Sequence, residues 1–245
     1  MNLIGIIPAR YHSSRFPGKP LVEIKGKTMI QRTWEQAKNA LANVAVATDD
    51  QRIKVVVESF GGAVVMTSSD HNSGTERCAE AVKVISEKTG TDYDVVINIQ
   101  GDEPFIQPRQ IELLAECFRD SDTGIATLIK KISLNDEIFN PNLPKVIFGK
   151  DCNAIYFSRS PIPCIRGKDR SEWLDSHSFY RHIGMYGYRT SILQEITRLE
   201  PSSLEMAESL EQNRWLENGY KIKVRETDFD TISIDTPDDL KRITG

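Results

Sequence analysis

The sequence predicts an α/β fold with a Rossmann-like, mostly parallel central sheet, flanked by helices and carrying inserted antiparallel strands. Short apolar runs alternate with segments of helical periodicity through the first half of the chain, as in parallel sheets crossed by helices. Polar and charged residues follow several of these runs directly. Ligands of such sheets bind outside the carboxyl ends of the strands, so the same pattern predicts a binding site there.

The first half of the chain predicts four strands and four helices. Leu3–Ile7 is an unbroken apolar run that fits a strand buried on both faces, and we expect Pro8 to end it. A long loop separates it from the first helix. The further strands expected are Val44–Ala47, Ala63–Met66 and Asp94–Ile99, and the helices are Met29–Ala40, Gln51–Phe60, Thr75–Glu87 and Pro108–Phe118.

The second half is less regular and predicts the inserted antiparallel elements. A helix is expected over Ser203–Asn218, closed by Gly219, and the charged Pro161–Ser178 segment reads as an exposed excursion. Thr236 and Pro237 fit the N-cap and first position of a last helix. The strands expected are Ala126–Ile132, Val146–Phe148, Ala154–Ser158, Gly184–Tyr188, Ile222–Val224 and Thr231–Ile234.

Length and composition predict one domain over residues 1–245, since no linker or repeat divides it. The net charge of -4 gives no support for a nucleic-acid partner. The four cysteines form no C-x-x-C pair, and no apolar stretch approaches the roughly 18 residues of a membrane helix. We therefore expect a cytoplasmic protein without a membrane or nucleic-acid partner.

A basic loop, Arg10 to Pro20, follows the first strand and is the first candidate site. Cations offset the charge of phosphates, and Gly18 lets backbone N–H groups approach them. The loop matches neither the dinucleotide fingerprint nor the P-loop pattern, which argues against those two classes. On charge pattern alone, a solvated loop with incidental charges fits equally well.

Carboxylates end two of the expected strands. Asp102 and Glu103 follow one strand, and Asp235 ends another just before the last helix. Mg²⁺ prefers oxygen ligands, so these strand ends could hold it. Asp235 fits helix capping as well. Ser73 to Arg77 offers hydroxyls and N–H groups before a helix, which suit either a nucleotide or a plain N-cap.

Several motifs, in order along nearly the whole chain, resemble the 3-deoxy-manno-octulosonate (Kdo) cytidylyltransferase family of sugar nucleotidyltransferases. The first is the IPARYHSSRFPGKPL stretch that contains the basic loop. The loop alone would resemble only the wider superfamily. The other motifs are VATD at 46–49, SGTER at 73–77, NIQGDEP at 98–104, YFSR at 156–159, RHIGMYGY at 181–188, LEQ at 210–212 and IDTP at 234–237.

The resemblance implies transfer of CMP from CTP to the anomeric hydroxyl of Kdo, a homodimer, a role in lipopolysaccharide biosynthesis and a Mg²⁺ cofactor held by Asp102 and Asp235. Arg10 and Lys19 join these two aspartates as the implied catalytic residues. The nucleotide-binding part spans about 1–125, and the sugar-binding and dimerisation elements span about 126–235. The implied nucleotide-binding residues are Ala9, Arg10, Ser14, Arg15, Lys19, Thr48, Asp49, Ser73, Gly74, Arg77 and Gln100, and the implied sugar-binding residues are Arg159, His182, Tyr186, Glu211 and Gln212.

Two alternatives stay open at this point. Another acceptor, such as 8-amino-Kdo, a sialic acid or a sugar 1-phosphate, would need a similar site. A non-enzymatic sugar-nucleotide sensor on the same scaffold predicts loss of Lys19 or of the metal carboxylates, and all are present. The 164–178 segment departs from the family pattern, which leaves the interface and the sugar's far end open.

Overall fold

The computed structural model describes residues 1–12, 16–230, 234 and 236–244, with side chains as far as Lys241. Its first half follows the predicted alternation. The strands are β1 (Leu3–Ala9), β2 (Glu23–Ile24), β3 (Lys27–Thr28), β4 (Val44–Thr48), β5 (Ala63–Met66) and β6 (Val95–Asn98). The helices between them are α1 (Met29–Ala40), α2 (Gln51–Ser59) and α3 (Gly74–Thr89), and α4 (Pro108–Glu116) follows β6.

The second half contains the antiparallel strands and several short helices. Its strands are β7 (Ile125–Lys131), β8 (Lys145–Phe148), β9 (Ala154–Ser158), β10 (Tyr180–Arg189) and β11 (Ile222–Glu226). The helices are α5 (Asn135–Phe139), α6 (Trp173–Ser176), α7 (Thr190–Ile196), α8 (Ser203–Glu208), α9 (Gln212–Glu217) and α10 (Pro237–Thr244). The strand expected at Thr231–Ile234 lies largely outside the described residues.

The main sheet runs in the order β11-β7-β10-β6-β1-β4-β5, and β8 and β9 branch from β10. The pairs β6–β1, β1–β4 and β4–β5 are parallel, whereas β10 runs antiparallel to both β6 and β7. This confirms the Rossmann-like, mostly parallel prediction with inserted antiparallel strands. None of the helices in the described ranges is long and apolar enough to cross a membrane.

The core lies on both faces of β1. Ile4 and Ile6 pack in one apolar cluster with Cys78 of α3, and Ile7 packs in a second cluster with Ile30 of α1. Burial on two faces explains the unbroken apolar run in the sequence. The loop that follows the strand is thereby fixed to the centre of the sheet.

Two predicted boundaries are wrong. Pro8 does not end β1, because it pairs with Ala47 of β4 and lies beyond the last β6 pair, where its missing N–H breaks no bond to that strand. The helix expected over Ser203–Asn218 is two helices, α8 and α9. Ser209 between them is left-handed, with φ 51°, which ends α8.

The β2–β3 hairpin was not anticipated. Its turn residues Lys25 and Gly26 both have positive φ, 49° and 77°, as a type I′ turn requires. Lys-Gly is a weaker form of the usual Asn-Gly signal, and each strand has only two residues. The hairpin packs Ile24 into a small apolar cluster with Met29 and Ile234, close to the predicted site.

Candidate active site

A cleft of about 250 Å³ lies where β1 and β6 end beside the N-terminus of α3. It brings together seven of the predicted nucleotide-binding residues and Asp102. The residues that line it are Pro8, Ala9, Arg10, Lys19, Pro20, His71, Asn72, Ser73, Gly74, Arg77, Gln100, Gly101 and Asp102. The predicted Ser14, Arg15 and Asp235 lie outside the described residues.

The cleft is narrow at its base because two strand ends approach each other closely. A Cβ on Gly101 would lie 3.0 Å from the carbonyl oxygen of Pro8, so only glycine fits here without a shift. The β1–β6 pairing sets this spacing by aligning Ile6 with Asn98. Residues that follow these two strands therefore face the same small space.

Lys19 and Asp102 meet across the cleft. Lys19 Nζ lies 2.7 Å from Asp102 Oδ2, and both side chains are largely shielded, with 14% and 29% of their areas exposed. Gly18 has φ 73° and precedes the one-turn 3₁₀ helix Lys19–Leu21, which aims the lysine inward. A cation and a carboxylate thus stand together where the basic loop meets the acidic strand end.

Arg77 lines the cleft but is already bound by the protein. It is 4% exposed, and its Nη1 donates to Thr67 Oγ1 at 2.6 Å and to the carbonyl of Ser68 at 3.2 Å. Its Nη2 lies 3.6 Å from Asp49 Oδ2. These contacts indicate that Arg77 supports the loop before α3.

Thr48 and Asp49, predicted to bind nucleotide, do not line the cleft. Thr48 is fully buried, and its hydroxyl accepts from the N–H of Asp50 at 3.2 Å. Asp49 lies beside Arg77 instead. They end β4, which is one strand further from the cleft than β1, and this explains why their contribution is indirect.

His71 lines the cleft and was not among the predicted site residues. Its Nε2 forms a short contact with Glu80 Oε2, and its Nδ1 lies 3.8 Å from Glu76 Oε2. Glu80 also accepts from the N–H of Ser68 at 2.8 Å. The only sequence signal for His71 was its position just before the Ser-Gly-Thr motif.

The surroundings of Glu103 do not favour a role as a charged metal ligand. It is 6% exposed, and its Oε2 has no hydrogen-bond partner within the described residues. Burial, and then the neighbouring Asp102, raise the pKa of Glu103 to about 8, while Arg181 opposes the rise. Burial therefore favours the protonated form of Glu103.

A second group of polar and aromatic side chains lies beside the cleft, on β10 and α9. The ring of His182 lies 5.2 Å from that of Tyr186, which stacks on Tyr188 at 5.9 Å. Trp215 meets both tyrosine rings edge-on. We call His182, Tyr186, Tyr188, Glu211 and Gln212, with Trp215, the polar–aromatic cluster.

Glu211 joins the polar–aromatic cluster to the cleft. Its Oε2 accepts from the hydroxyl of Thr75 at 2.8 Å, and Thr75 lies in the first turn of α3. Burial raises the pKa of Glu211 above its ordinary value, against the opposing hydrogen bonds of Thr75 and Ser73. The N-terminus of α3 thus contacts both parts of the site.

His182 is half-buried and neutral. Burial lowers its pKa to about 3. Its Nε2 lies 3.0 Å from Thr127 Oγ1, and that hydroxyl lies 2.8 Å from the carbonyl of Met185. A hydroxyl has one proton, so donation to Met185 favours the Nε2–H tautomer of His182 and leaves Nδ1 as an acceptor.

A β-bulge in β10 links Gln100 to the polar–aromatic cluster. The pairing of β10 with β7 shifts between Ile183 and Tyr186, so Gly184 and Met185 have no register partner there. Gln100 Nε2 donates to the freed carbonyl of Gly184 at 2.9 Å. The bulge therefore connects the end of β6 to the polar–aromatic cluster.

Arg159 and Gln212 are the remaining residues that were predicted to bind the sugar. Arg159 Nε donates to the carbonyl of Glu208 at 2.7 Å, and its terminal nitrogens donate to the carbonyls of Pro141 and Ser209. Gln212 is 4% exposed, and its Nε2 has no partner within the described residues. A buried donor left unbound costs about 1–3 kcal/mol, and a ligand could satisfy it.

A mostly parallel sheet with a cleft at its strand ends is the architecture of nucleotidyltransferases. A putative glucose-1-phosphate thymidylyltransferase from Bacillus anthracis shares the fold with a TM-score of 0.63, at 18% identity over 99% of this chain and 94% of that one. A solved CMP:2-keto-3-deoxy-manno-octonic acid synthetase, complexed with CTP, is similar with a TM-score of 0.90, at 41% identity over 100% of this chain and 97% of that one.

The sequence comparisons narrow this class. A family model described as Cytidylyltransferase matches residues 4–222. The 3-deoxy-manno-octulosonate cytidylyltransferase of Parabacteroides distasonis is 59% identical over 99% of this chain and 96% of its own length. That of Cytophaga hutchinsonii is 53% identical over 100% and 97%. The chain belongs to the 3-deoxy-manno-octulosonate cytidylyltransferase family.

Proposed function

We propose that the protein transfers CMP from CTP to the anomeric hydroxyl of Kdo, giving CMP-Kdo and pyrophosphate. The observation that carries this proposal is one cleft that unites Arg10, Lys19 and Asp102 and adjoins a separate polar–aromatic cluster. The cleft suits a triphosphate and the cluster suits a hydroxyl-rich acceptor. The relatives named above carry out, by name, this same class of reaction.

The reaction needs no covalent intermediate with the protein. The protein has to position the two substrates and stabilise negative charge on the phosphates. The anomeric oxygen of the acceptor forms a bond to the α-phosphorus in line, the bond to pyrophosphate breaks, and the hydroxyl proton is released. Arg10 and Lys19 stabilise negative charge on the phosphates. Lys19, already beside Asp102, is placed for this role before the nucleotide arrives.

We propose Mg²⁺ as the cofactor, with Asp102 and Asp235 as its protein ligands. Asp102 offers the carboxylate oxygen that Mg²⁺ prefers, and its side chain borders the cleft. No three acidic, His or Cys side chains of the described ranges cluster as a metal site. One or two carboxylates with the substrate phosphates are the usual Mg²⁺ ligand set, so the donors present fit. Bound there, the ion would polarise the α-phosphate.

The nucleotide's base and ribose would bind at Ala9, Ser73, Gly74 and Gln100, beside the phosphates. Ser73 already caps α3, accepting from the N–H of Glu76 at 3.2 Å, and its hydroxyl also hydrogen-bonds Glu211. Arg77, with Asp49 and Thr48 behind it, acts by holding this wall. We assign phosphate binding to Ser14 and Arg15 only because they lie in the basic loop.

The acceptor would bind against the polar–aromatic cluster. His182 offers one acceptor nitrogen, Gln212 an unpartnered amide donor and Glu211 a carboxyl oxygen. Tyr186 adds a hydroxyl and an apolar ring face. Each buried sugar hydroxyl needs a hydrogen-bond partner, and this set supplies donors and acceptors together. Arg159 supplies charge for the acceptor's carboxylate.

We also propose that the protein is a homodimer in the cytoplasm that activates Kdo for lipopolysaccharide synthesis. Support for the interface comes from the 161–178 segment, which is mostly exposed but anchored by Trp173 against Phe179 and Ile132. CTP is a cytoplasmic substrate, and the four cysteines are free thiols in the structure.

The test is pyrophosphate release by the purified protein with Mg²⁺, each of the four nucleoside triphosphates and a panel of keto-acid sugars. We expect release with CTP and Kdo, and none when the metal is chelated with EDTA. Release with an amino-substituted Kdo or a sialic acid, but not with Kdo, would reassign the acceptor. No release with CTP and any sugar would refute the proposal.

Lys19→Ala tests the role of the basic loop. Removing one preorganised donor from a developing oxyanion costs about 10²–10³ in kcat, and we expect a loss of that order. Lys27→Ala is the matched control, because Lys27 lies in the adjacent hairpin with 46% of its side chain exposed. Wild-type turnover in Lys19→Ala would show that Lys19 has no catalytic role.

A further inference from the structure

Lys145 is a buried cation that the proposed reaction does not yet use. It lies on β8 and is fully buried. Its Nζ donates to the carbonyl oxygen of Asn140 at 2.8 Å, and no carboxylate within the described residues lies within salt-bridge distance of it. Lysine is almost never fully buried unless it is paired, so this position calls for a reason.

Lys145 and Arg159 bind consecutive carbonyls of one turn. Lys145 holds the carbonyl of Asn140, and Arg159 Nη1 donates to the carbonyl of Pro141 at 3.0 Å. The position of the turn and that of the guanidinium therefore depend on each other. Loss of the lysine would release the turn on the side that supports Arg159.

Glu208 and Ser209 hold Arg159 from the other side. The N–H of Arg159 donates to Glu208 Oε2 at 2.9 Å, and its Nε donates to the carbonyl of Glu208 at 2.7 Å. Its Nη2 donates to the carbonyl of Ser209 at 3.2 Å. The guanidinium is thus fixed by backbone atoms of two separate loops.

Two donors of Arg159 are left for a ligand. An arginine side chain has five N–H donors, and the three bonds to carbonyls use one on each nitrogen. One N–H on each terminal nitrogen has no partner within the described residues. Two donors on one planar group suit the two oxygens of a carboxylate.

The local charge also favours an anion. Lys145 and Arg159 contribute two positive charges, and among the described residues Glu208 contributes the negative charge that acts on Lys145. Glu208 is itself satisfied, since it accepts from Ser158 Oγ at 2.6 Å as well as from Arg159. One positive charge is left over for a ligand to balance.

This pair of cations adjoins the polar–aromatic cluster. The N–H of His182 donates to the carbonyl of Pro144, the residue before Lys145, at 2.8 Å. The His182 ring also lies 5.1 Å from that of Phe157, two residues before Arg159. The two segments that carry Lys145 and Arg159 are therefore both in contact with His182.

We propose that Lys145 is a positioning residue for the acceptor's carboxylate: it fixes the turn that holds Arg159 and adds a second positive charge beneath the guanidinium. This proposal rests on the proposed function, since it assumes an acidic acceptor. It assigns Lys145 no contact with the reacting atoms. Its effect is on acceptor binding and not on the nucleotide cleft.

The charge on Lys145 is sensitive to pH. Burial first, and then the positive charge of Arg159, lower its pKa to about 8, and Glu208 opposes the shift. Arg159 faces it from the end of β9, Glu208 from α8, and Arg181 is its register partner on β10. A bound carboxylate stabilises the charged form, so the acceptor should bind better below pH 8 and its binding should take up a proton.

Lys145→Met tests the positioning role, with Lys150→Met as the matched control. Lys150 is exposed at the turn of the same β8–β9 hairpin, so both variants remove one positive charge from one hairpin. In Lys145→Met we expect the KM for Kdo to rise on the order of tenfold, the size of one charge-assisted contact, with the KM for CTP nearly unchanged. Lys150→Met should change neither constant.

The wild-type pH profile is the second measurement and does not depend on the variant's folding. We expect kcat/KM for Kdo, at saturating CTP, to fall as pH rises through about 8. This fall should be absent in Lys145→Met. Calorimetry in buffers of different ionisation enthalpy should show proton uptake when Kdo binds to the wild type at pH 8.

Three results would overturn the inference: a flat wild-type profile from pH 7 to 9, a pH profile unchanged in folded Lys145→Met, or equal changes in KM for Kdo and CTP. Failure of the proposed function is distinct, because the wild type would then release no pyrophosphate from CTP and Kdo at any pH. Turnover with Kdo but no effect at Lys145 would reject only the positioning role.

Discussion

At the scale of single residues, the site is made by partners that lie far apart in the chain. Lys19 meets Asp102 across 83 positions, and Thr75 meets Glu211 across 136. Each pair joins a residue of the basic loop or of α3 to a strand end or helix that the fold brings beside it. Burial also shifts the pKa of several other site residues, and His182 gives the sharpest test of this.

His182 should lower stability in mild acid. Its native pKa is about 3 while an unfolded histidine titrates near 6.5, so below pH 6.5 the unfolded state binds the extra proton. Stability should therefore fall as pH drops from 6.5 towards 3, with up to about 1.4 kcal/mol per pH unit from this one residue. His182→Gln should flatten that slope in urea unfolding measured from pH 7 to 4.

The control for this prediction is His177→Gln, which changes an exposed histidine. It should leave the pH slope as in the wild type. Equal slopes in His182→Gln and the wild type would mean that folding does not lower the pKa of His182.

At the scale of elements, the end of the chain is tied to the acidic strand end through Ile234. Its N–H donates to the carbonyl oxygen of Asp102 at 3.0 Å, and its side chain is fully buried against Ile24 and Met29. Asp230, further upstream, pairs with Lys130 and Arg181 at 2.7 and 2.5 Å. Ile234 and Asp230 thus each attach to residues of the main fold.

Ile234→Ala should weaken this attachment of Ile234. Truncating a buried isoleucine costs about 2–5 kcal/mol, and here the loss falls on a peripheral attachment. We expect faster proteolysis near the C-terminus and weaker Mg²⁺-dependent CTP binding, with a smaller fall in Tm than a core truncation gives. Ile234→Val, which keeps most of the side chain, is the control. Unchanged proteolysis in Ile234→Ala would show that the attachment is not needed.

The break between α8 and α9 is set by Ser209, the left-handed residue that ends α8. Left-handed geometry costs a residue with a Cβ roughly 1–2 kcal/mol, a cost that glycine avoids. Glycine, however, loses more conformational entropy on folding, which costs about 0.5–1 kcal/mol. We expect Ser209→Gly to raise stability by up to about 1 kcal/mol, while Ser209→Val, β-branched, lowers it.

Chemical denaturation of the two Ser209 variants checks this prediction. The carbonyl of residue 209 still binds Arg159 in both, so turnover should stay near the wild type in Ser209→Gly. If glycine destabilised the protein as much as valine, the left-handed conformation would not be the reason for the break. A continuous helix through 203–218 would then have to be reconsidered.

At the scale of the whole molecule, the sequence was informative where the pattern is local. Buried parallel strands read as apolar runs, and their carboxyl ends meet at one edge of the sheet, which placed Arg10, Gln100 and Asp102 together before the structure did. The same reasoning predicted Asp49 to lie in the cleft, which it does not line. The distance of Asp49 from the cleft depends on the order of the strands in the sheet, and local sequence patterns do not reveal that order.

Side chains whose partners are backbone carbonyls could not be predicted. Arg159 reads as a free cation in the sequence, yet three loop carbonyls hold it. Lys145 reads as one charge near the start of a short strand, and only the β8–β9–β10 pairing shows that it is buried. Such contacts depend on the loops between elements, which composition alone does not fix.

The arrangement of the cleft predicts how ligand binding acts on the whole molecule. The end of β1, the end of β6, the first turn of α3 and the basic loop all border it, so one CTP would contact several elements at once. A ligand that binds only the folded state stabilises it by about 2.7 kcal/mol at a hundredfold excess over its Kd. We expect CTP with Mg²⁺ to raise Tm by several degrees.

The comparison of nucleotides and variants makes this thermal shift specific. A purine triphosphate should give a much smaller rise, since the cleft is about 250 Å³ and the wider base competes with its walls. Lys19→Ala should reduce the CTP shift and Lys27→Ala should not. Kdo alone should shift Tm less than CTP, because the polar–aromatic cluster lies mainly on β10 and α9 and joins fewer parts of the chain. Equal rises in Tm with all four triphosphates would mean that the cleft binds the phosphates and does not distinguish between bases.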